Sequence, residues 1–310
     1  MMKFLVTGCA GFLGTNLTNR LLNLGHEVIG IDNLYTGRRS NLDNLIKNKN
    51  FLFIEHDINK KIDLKIDGIF NLACPASPKA YQKKPFLTLD TCYLGTKNML
   101  NLAKKNNVRI LHTSTSEIYG NPLIHPQSES YFGNVNTLGP RACYDEGKRI
   151  SETLLYNYKE IYGLDIKLIR IFNTYGPFMA KDDGRVVSNF INQALQNIDI
   201  TIYGNGKQTR SFCYVDDLID GILKFYRQDK YFGPVNLGNN KENTMNYLAK
   251  RIITITKSKS KIVYKKIPQD DPLKRKPNLK KIKFFTNWSP KVNLDQGLIK
   301  TIKYFEKINN

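Results

Sequence analysis

Tyr144 and Lys148 stand four residues apart in the stretch CYDEGKR. On a helix that spacing puts a phenol and an ammonium on one face. A phenol ordinarily ionises near about 10, and a positive charge beside it favours the phenolate. The pair could then accept a proton from a hydroxyl group near neutral pH. A surface tyrosine beside a surface lysine gives the same pattern, so chemistry follows only if the chain also holds a hydride acceptor. GCAGFLG offers a place for one: Gly8, Gly11 and Gly14 lie between the strand pattern KFLVT and the amphipathic helix pattern FLGTNLTNRLLNLG. Glycines there let the backbone approach a pyrophosphate, and the helix N-terminus presents free N–H groups and the positive end of its dipole. Asp32 follows the second strand pattern, EVIGI. A carboxylate at that point accepts hydrogen bonds from ribose hydroxyls and repels a 2′-phosphate, which favours NAD; Arg38 and Arg39 nearby speak for NADP. Asp57, after the third strand pattern, meets the adenine edge or caps the strand end. Thr115, in TSTSEIYG after the fifth strand pattern, is placed to bond the oxygen that Tyr144 would deprotonate.

These side chains need a frame, and the first half of the chain supplies one. NFLFIEHDI and GIFNLA read as the third and fourth strands, RILHTS as the fifth and DIKLIRIF as the sixth. A helix is expected from about Thr88 to Lys105, and Tyr144 opens another. Strands alternating with helices predict an α/β fold, a Rossmann-type doubly wound parallel sheet. After Gly176-Pro177 the pattern loosens into short strands (ITIYG, SFCYV, PVNLG) and helices (SNFINQALQN, MNYLAKRIITIT, LDQGLIKTIKYF). Residues 1–176 are expected to form a dinucleotide-binding domain, and 177–310 mainly a smaller, partly interwoven substrate-binding lobe.

Bulk composition narrows the partners. The 310 residues carry a net charge of +20, but the basic residues are spread along the chain and no nucleic-acid-binding motif accompanies them. The charge reads as solvated faces that would also attract a polyanionic small substrate. No apolar run approaches the length that spans a bilayer. The first residues enter a strand pattern without a signal or transit segment, so a cytoplasmic location with no membrane partner is expected. Cys9, Cys74, Cys92, Cys143 and Cys213 are scattered without a C-x-x-C pair and read as reduced thiols. The four histidines form no ligand pattern, so no metal is expected.

The glycine triplet, the Ser/Thr stretch and the Tyr-x-x-x-Lys pair together resemble the short-chain dehydrogenase/reductase family in its extended, sugar-nucleotide-modifying branch. NLACPASPKAYQKKP, TSTSEIYGNPLIHPQSESYFGNVNTLGPRACYDEGKR, RIFNTYGP, DDGRVVSNFINQAL, YGNGKQTRSFCYVDDL and DDPLKRKP resemble the UDP-glucuronate decarboxylases (UDP-xylose synthases) within it, over nearly the whole chain. The resemblance implies a tightly held NAD, UDP-glucuronate as substrate, UDP-xylose and carbon dioxide as products through a 4-keto intermediate, and a homodimer. It implies catalytic roles for Thr115, Ser116, Glu117, Tyr144, Lys148 and Arg275. It places Gly11, Phe12, Leu13, Asp32, Asn33, Thr36, Gly37, Asp57, Ile58, Leu72, Thr91, Thr174 and Arg185 at NAD. Tyr81, Asn173, Asn189, Tyr203, Gln208 and Arg210 fall near the UDP-sugar, with Glu117 and Arg275 at the sugar ring. Cys74 departs from the family, whose members often have Ser there, and the loop GPFMAKDDGR lacks a common Arg or His. Related 4,6-dehydratases pair Asp with Glu after the Thr, where Ser116 stands here, and a 4-epimerase would not need Glu117. A non-catalytic NAD-binding sensor would not need the Thr115, Tyr144 and Lys148 set.

Overall fold

A computed structural model describes residues 1–182, 184–266 and 274–309. The first half of the DDPLKRKP segment and one residue of DDGRVVSNFINQAL lie outside the described residues. Six strands, β1 (Lys3–Thr7), β2 (Glu27–Asp32), β3 (Phe51–Glu55), β4 (Gly68–Asn71), β5 (Arg109–Thr115) and β6 (Ile166–Ile171), follow the expected patterns. With Val235–Leu237 they form one parallel sheet in the order Val235–Leu237, β6, β5, β4, β1, β2, β3. The fold is the expected Rossmann-type α/β architecture. The chain runs outward from β1 to β3, then returns to place β4 on the other side of β1, so the order reverses there. At such a reversal the loops diverge and leave a crevice at the carboxyl ends of the strands.

Alternation along the strands feeds two cores. In β1, Phe4 and Val6 pack into one and Leu5 into the other; in β5, Leu111 and Ile110 divide the same way. Both faces are covered, which is why these strands read as nearly continuous apolar runs. Helix α1 (Phe12–Asn23) covers the first face. Helices α2 (Pro78–Lys83) and α3 (Pro85–Asp90) lead into a π-helical turn, Thr91–Gly95, and α4 (Thr96–Asn106). Helix α5 (Ala142–Tyr162) stops at Gly163, whose φ of +63° suits glycine.

Two features of the second half differ from the pattern reading. PVNLG, expected in the smaller lobe, contributes Val235–Leu237 to the edge of the main sheet beside β6. The helix Val215–Arg227, which the sequence reading did not mark, follows at once after the SFCYV strand and packs on α1. The chain thus leaves the main sheet and rejoins it. Outside it, Thr209–Ser211 pairs antiparallel with Glu242–Thr244 and parallel with Lys274–Arg275. That register sets Arg275 directly beside Arg210.

Candidate active site

A cavity of about 740 Å³ opens at the carboxyl edge of the sheet, lined from both halves of the chain. Every site residue expected from the sequence lines it except Gly37, which packs behind Asp32. At one end lies the glycine turn. Gly8 adopts φ +69°, and a Cβ on Gly14 would sit 2.0 Å from the Gly8 carbonyl oxygen, so α1 can close on the turn only with glycine there. No side chain caps the N-terminus of α1, leaving its first N–H groups directed at the cavity end lined by Gly11, Phe12 and Leu13. That is a cradle for a pyrophosphate.

Asp32 accepts from the Ala10 N–H at 3.0 Å and the Leu34 N–H at 2.8 Å, tying the glycine turn to the end of β2. Burial raises its carboxyl above the ordinary range, partly opposed by those two bonds. The carboxylate still has lone pairs to offer a ribose. Arg38 is committed elsewhere: it donates to the Met179 carbonyl at 2.9 Å, the Phe178 carbonyl at 3.2 Å and Asn41 at 3.3 Å. Arg39 pairs with Glu55 at 2.5 Å. Neither arginine is therefore held ready for a 2′-phosphate, and the pocket suits NAD. Asp57 accepts from the Asn59 N–H at 2.9 Å and from Asn33 at 3.2 Å, so it does cap its turn while lining the cavity.

Tyr144 and Lys148 stand one turn apart on α5, both buried and both facing the cavity. The helix is fixed to the sheet just beyond them. Glu152 receives Ser114 of β5 at 2.5 Å and Arg170 of β6 at 2.7 and 3.0 Å. Lys148 donates to the Thr113 carbonyl at 3.0 Å. Thr115 hydrogen-bonds Tyr144 and accepts from the Glu117 N–H at 3.2 Å, which joins the phenol to the turn that carries Ser116 and Glu117. The expected lowering of the Tyr144 phenol is corrected here. Burial pushes it well above its ordinary value, with the nearby Cys74 and Glu117 adding to the rise and the Thr115 hydrogen bond opposing it. Tyr81 stacks on the Tyr144 ring at 5.0 Å between centroids and 5° between planes, which keeps water off one face. The Tyr81 hydroxyl is itself buried without a hydrogen-bond partner, although it lines the cavity. An orphaned hydroxyl of this kind points to a polar occupant.

Glu117 is the centre of a buried charge cluster. Arg275 donates to it at 2.5 and 2.8 Å, and Arg141 also pairs with it. Burial acts to raise the Glu117 carboxyl, but Arg275 and Arg141 overcome it and hold the group down at about 2. Behind this cluster is a second cavity of about 230 Å³, lined by Glu117, Arg141 and Asp145 among others. Asp145 Oδ2 lies 4.0 Å from Arg141, and Oδ1 has no partner. Burial, then the Glu117 charge, lifts the Asp145 carboxyl to about 7.

Residues 4–238 match the model of the "NAD dependent epimerase/dehydratase family". The chain belongs to that family. A UDP-glucuronic acid decarboxylase from Xenopus tropicalis is 48% identical over 98% of this chain and 72% of its own length. One from Arabidopsis thaliana is 49% identical over 98% of this chain and 70% of its own. Among solved structures, a UDP-glucuronic acid 4-epimerase from Bacillus cereus, in complex with UDP-glucuronic acid and NAD, is 27% identical. It superposes with a TM-score of 0.89 over 99% of this chain and all of that one. The family is NAD-dependent, in keeping with the glycine cradle and the committed arginines.

The sequence reading missed Arg141 and Asp145, both inside the long block that carried the family resemblance. One signal could have found them: an arginine four residues before an aspartate, straddling the start of the helix that bears Tyr144. Among the described residues no three His, Cys, Asp or Glu side chains cluster as metal ligands, and no helix is long and apolar enough to cross a membrane.

Proposed function

We propose that this chain converts UDP-glucuronate to UDP-xylose and carbon dioxide, with bound NAD restored in every cycle. The observation that carries the reading is the buried Glu117 clamp: two guanidiniums around one carboxylate, on the same turn as Thr115 and beside Tyr144. The clamp carries one surplus positive charge, which suits a sugar bearing its own carboxylate. The relatives named decarboxylases support it further, at 48–49% identity against 27% for the solved epimerase.

Bound NAD supplies a hydride acceptor and donor for C4 of the sugar. Gly8, Gly11, Gly14 and the α1 N-terminus hold its pyrophosphate, and Asp32 its adenosine ribose. Tyr144 takes the proton of the C4 hydroxyl, with Thr115 bonded to the same oxygen. Lys148, anchored on the Thr113 carbonyl, keeps its ammonium on the face of α5 that carries the phenol. Since burial holds the phenol high, ionising it depends on positive charge reaching this end of the cavity when it is filled. The 4-keto sugar is a β-keto acid, and its carboxylate departs as carbon dioxide when the bond electrons delocalise onto the ketone oxygen. Tyr144 and Thr115 donate to that developing oxyanion. Glu117, held at about 2, carries no proton near neutral pH and cannot itself protonate C5. Its role is to fix Arg275 and Arg141 and to orient a water that delivers the proton. Tyr81, Asn173, Asn189, Tyr203, Gln208 and Arg210 contact the UDP-sugar, and Ser116 supports the turn under the sugar carboxylate.

The same reading includes a homodimer and a cytoplasmic location. Supporting the dimer, Phe86 and Leu89 of α3, Tyr93 and Leu94 of the π-helical turn, and Ile150 of α5 are all exposed apolar side chains on adjoining elements. Incubation with UDP-glucuronate followed by mass spectrometry tests the activity. Loss of carbon dioxide supports the reading; loss of water assigns a 4,6-dehydratase, and unchanged mass with inverted C4 assigns a 4-epimerase. Light scattering on the purified chain tests the dimer.

A further inference from the structure

Cys74 and Cys92 hold their sulfur atoms 3.5 Å apart, in contact across the wall of the main cavity. Cys74 lies in the loop after β4 and lines the cavity together with Tyr144 and Lys148. Cys92 sits behind it, fully buried in the π-helical turn, its carbonyl accepting from Ser151 of α5 at 2.8 Å. A Cβ on Gly147 would come within 3.0 Å of the Cys92 sulfur, so the glycine leaves that thiol its place. The two thiols are electrically unlike. The Cys92 hydrogen bond, helped by Lys148 and opposed by burial, draws the Cys74 thiol down to about 7. The same bond and burial push Cys92 well up. Cys74 is the sulfur a small oxidant can reach from the cavity, and its acidity is shifted toward the thiolate; Cys92 is buried behind it within contact distance, the arrangement of an attacking and a resolving thiol.

We propose that Cys74 and Cys92 form a peroxide-oxidisable pair in the wall of the cofactor cavity, closing reversibly to a disulfide. The Cys74 thiolate attacks one oxygen of a hydroperoxide; the O–O bond breaks and the other oxygen leaves as hydroxide or alkoxide. The resulting sulfenic acid is attacked by the Cys92 sulfur. The S–S bond forms as the S–O bond breaks, and the hydroxyl leaves as water with the Cys92 proton. Two thiols lose two electrons, and one peroxide bond is reduced. A disulfide spans about 2.0 Å, so closure draws the sulfurs together and pulls the Cys74 loop toward α3 and the π-helical turn. This chemistry does not depend on the decarboxylase reading, since its primary readout is covalent.

The test is treatment of the purified chain, supplied with NAD, with hydrogen peroxide. Alkylation of remaining thiols and peptide mapping follow. The expected result is a Cys74–Cys92 cross-linked peptide that dithiothreitol returns to two free thiols. Cys92→Ser removes the resolving thiol, so Cys74 should be caught by dimedone as the sulfenic acid, or carried on by a second peroxide to the sulfinic acid, which dithiothreitol does not reverse. Cys74→Ser should leave Cys92 unoxidised at the same dose. Absence of the cross-linked peptide in the natural sequence would overturn the proposal. So would a Cys74 that stays an unmodified thiol, unlabelled by dimedone, in Cys92→Ser, or oxidation of Cys92 when Cys74 is gone.

Discussion

Replacing Glu117 by Gln keeps the shape of the side chain and removes the charge that Arg141 and Arg275 both grip. It also turns an amide N–H₂ toward a guanidinium that has only donors to offer. The fall of the Glu117 carboxyl from 4.5 to about 2 corresponds to roughly 3 kcal/mol of preference for its charged form, at about 1.4 kcal/mol per tenfold. Breaking one side of a buried ion pair costs about 3–5 kcal/mol by experience with other proteins. The lower figure applies here because Asp145 can compensate. Its proton is retained by burial and by the Glu117 charge, and without that charge it ionises more readily beside Arg141. Unfolding entropy of about 2.1 cal/mol/K per residue gives about 0.65 kcal/mol/K for 310 residues. A loss of 3 kcal/mol then lowers Tm by about 5 °C.

Thermal melting followed by circular dichroism at pH 7.5 reads that shift. Glu117→Gln combined with Asp145→Asn should lose more than the two single changes together, because the compensating charge is gone. In turnover, C4 oxidation should continue while decarboxylation and C5 protonation slow by about 100-fold or more, so a 4-keto nucleotide sugar accumulates. An unchanged Tm without extra loss in the double variant would refute the charge argument. UDP-xylose formed at the natural rate would refute the mechanistic one. The contribution of Glu117 to stability is also pH-dependent with a definite sign. Its pKa is depressed in the folded chain, so the stabilisation is complete above about 4.5 and is lost as pH falls toward about 2.

Tyr144→Phe should lower kcat by about 100- to 10,000-fold while leaving NAD bound, as read by rate assay and by the dinucleotide released on denaturation. Asp32→Ala should weaken NAD and narrow its preference over NADP by about tenfold; equal discrimination by variant and natural chain in a fluorescence titration would make Asp32 a turn residue only. Asp145 has a raised pKa in the folded chain, so its contribution is present below about 3.8 and is lost as pH rises through about 7. Melts of Asp145→Asn at pH 5 and pH 8 should therefore show a smaller decline than the natural chain over that interval. In heavy water, UDP-xylose should carry deuterium at C5 and none at C4, because the C5 proton comes from solvent. Deuterium at C4 by NMR would contradict retention of the hydride.

The sheet was legible because each of its first six strands is a short apolar run set off by turn residues, as strands covered on both faces must be. The sequence reading put Val235–Leu237 elsewhere because a three-residue strand says nothing of its neighbour; only the pairing with β6 decides that. The helix Val215–Arg227 was hidden because it begins at the residue directly after the strand Cys213–Tyr214, with no intervening turn signal. The site divides along the same line. Residues whose role follows from local geometry, such as Gly8 and Gly14 at the turn or Tyr144 and Lys148 one helical turn apart, could be picked from spacing. The acidity of Tyr144 could not, because it depends on how fully Tyr81 and the loop after β4 exclude water. Nor could the clamp. Glu117 meets Arg141 across 24 positions and Arg275 across 158. In a chain with 47 lysines and arginines, only the family resemblance singled out Arg275, and the one local mark of Arg141 is its spacing from Asp145, which says nothing of Glu117. Burial distinguishes them. A guanidinium that has lost its water needs an anion, and Glu117 on the turn below Thr115 is the carboxylate they share. The same loss of water that raises the Tyr144 phenol makes this cluster strongly directional. One enclosed volume thus sets both the resistance of the base to ionisation and the pull on a substrate carboxylate.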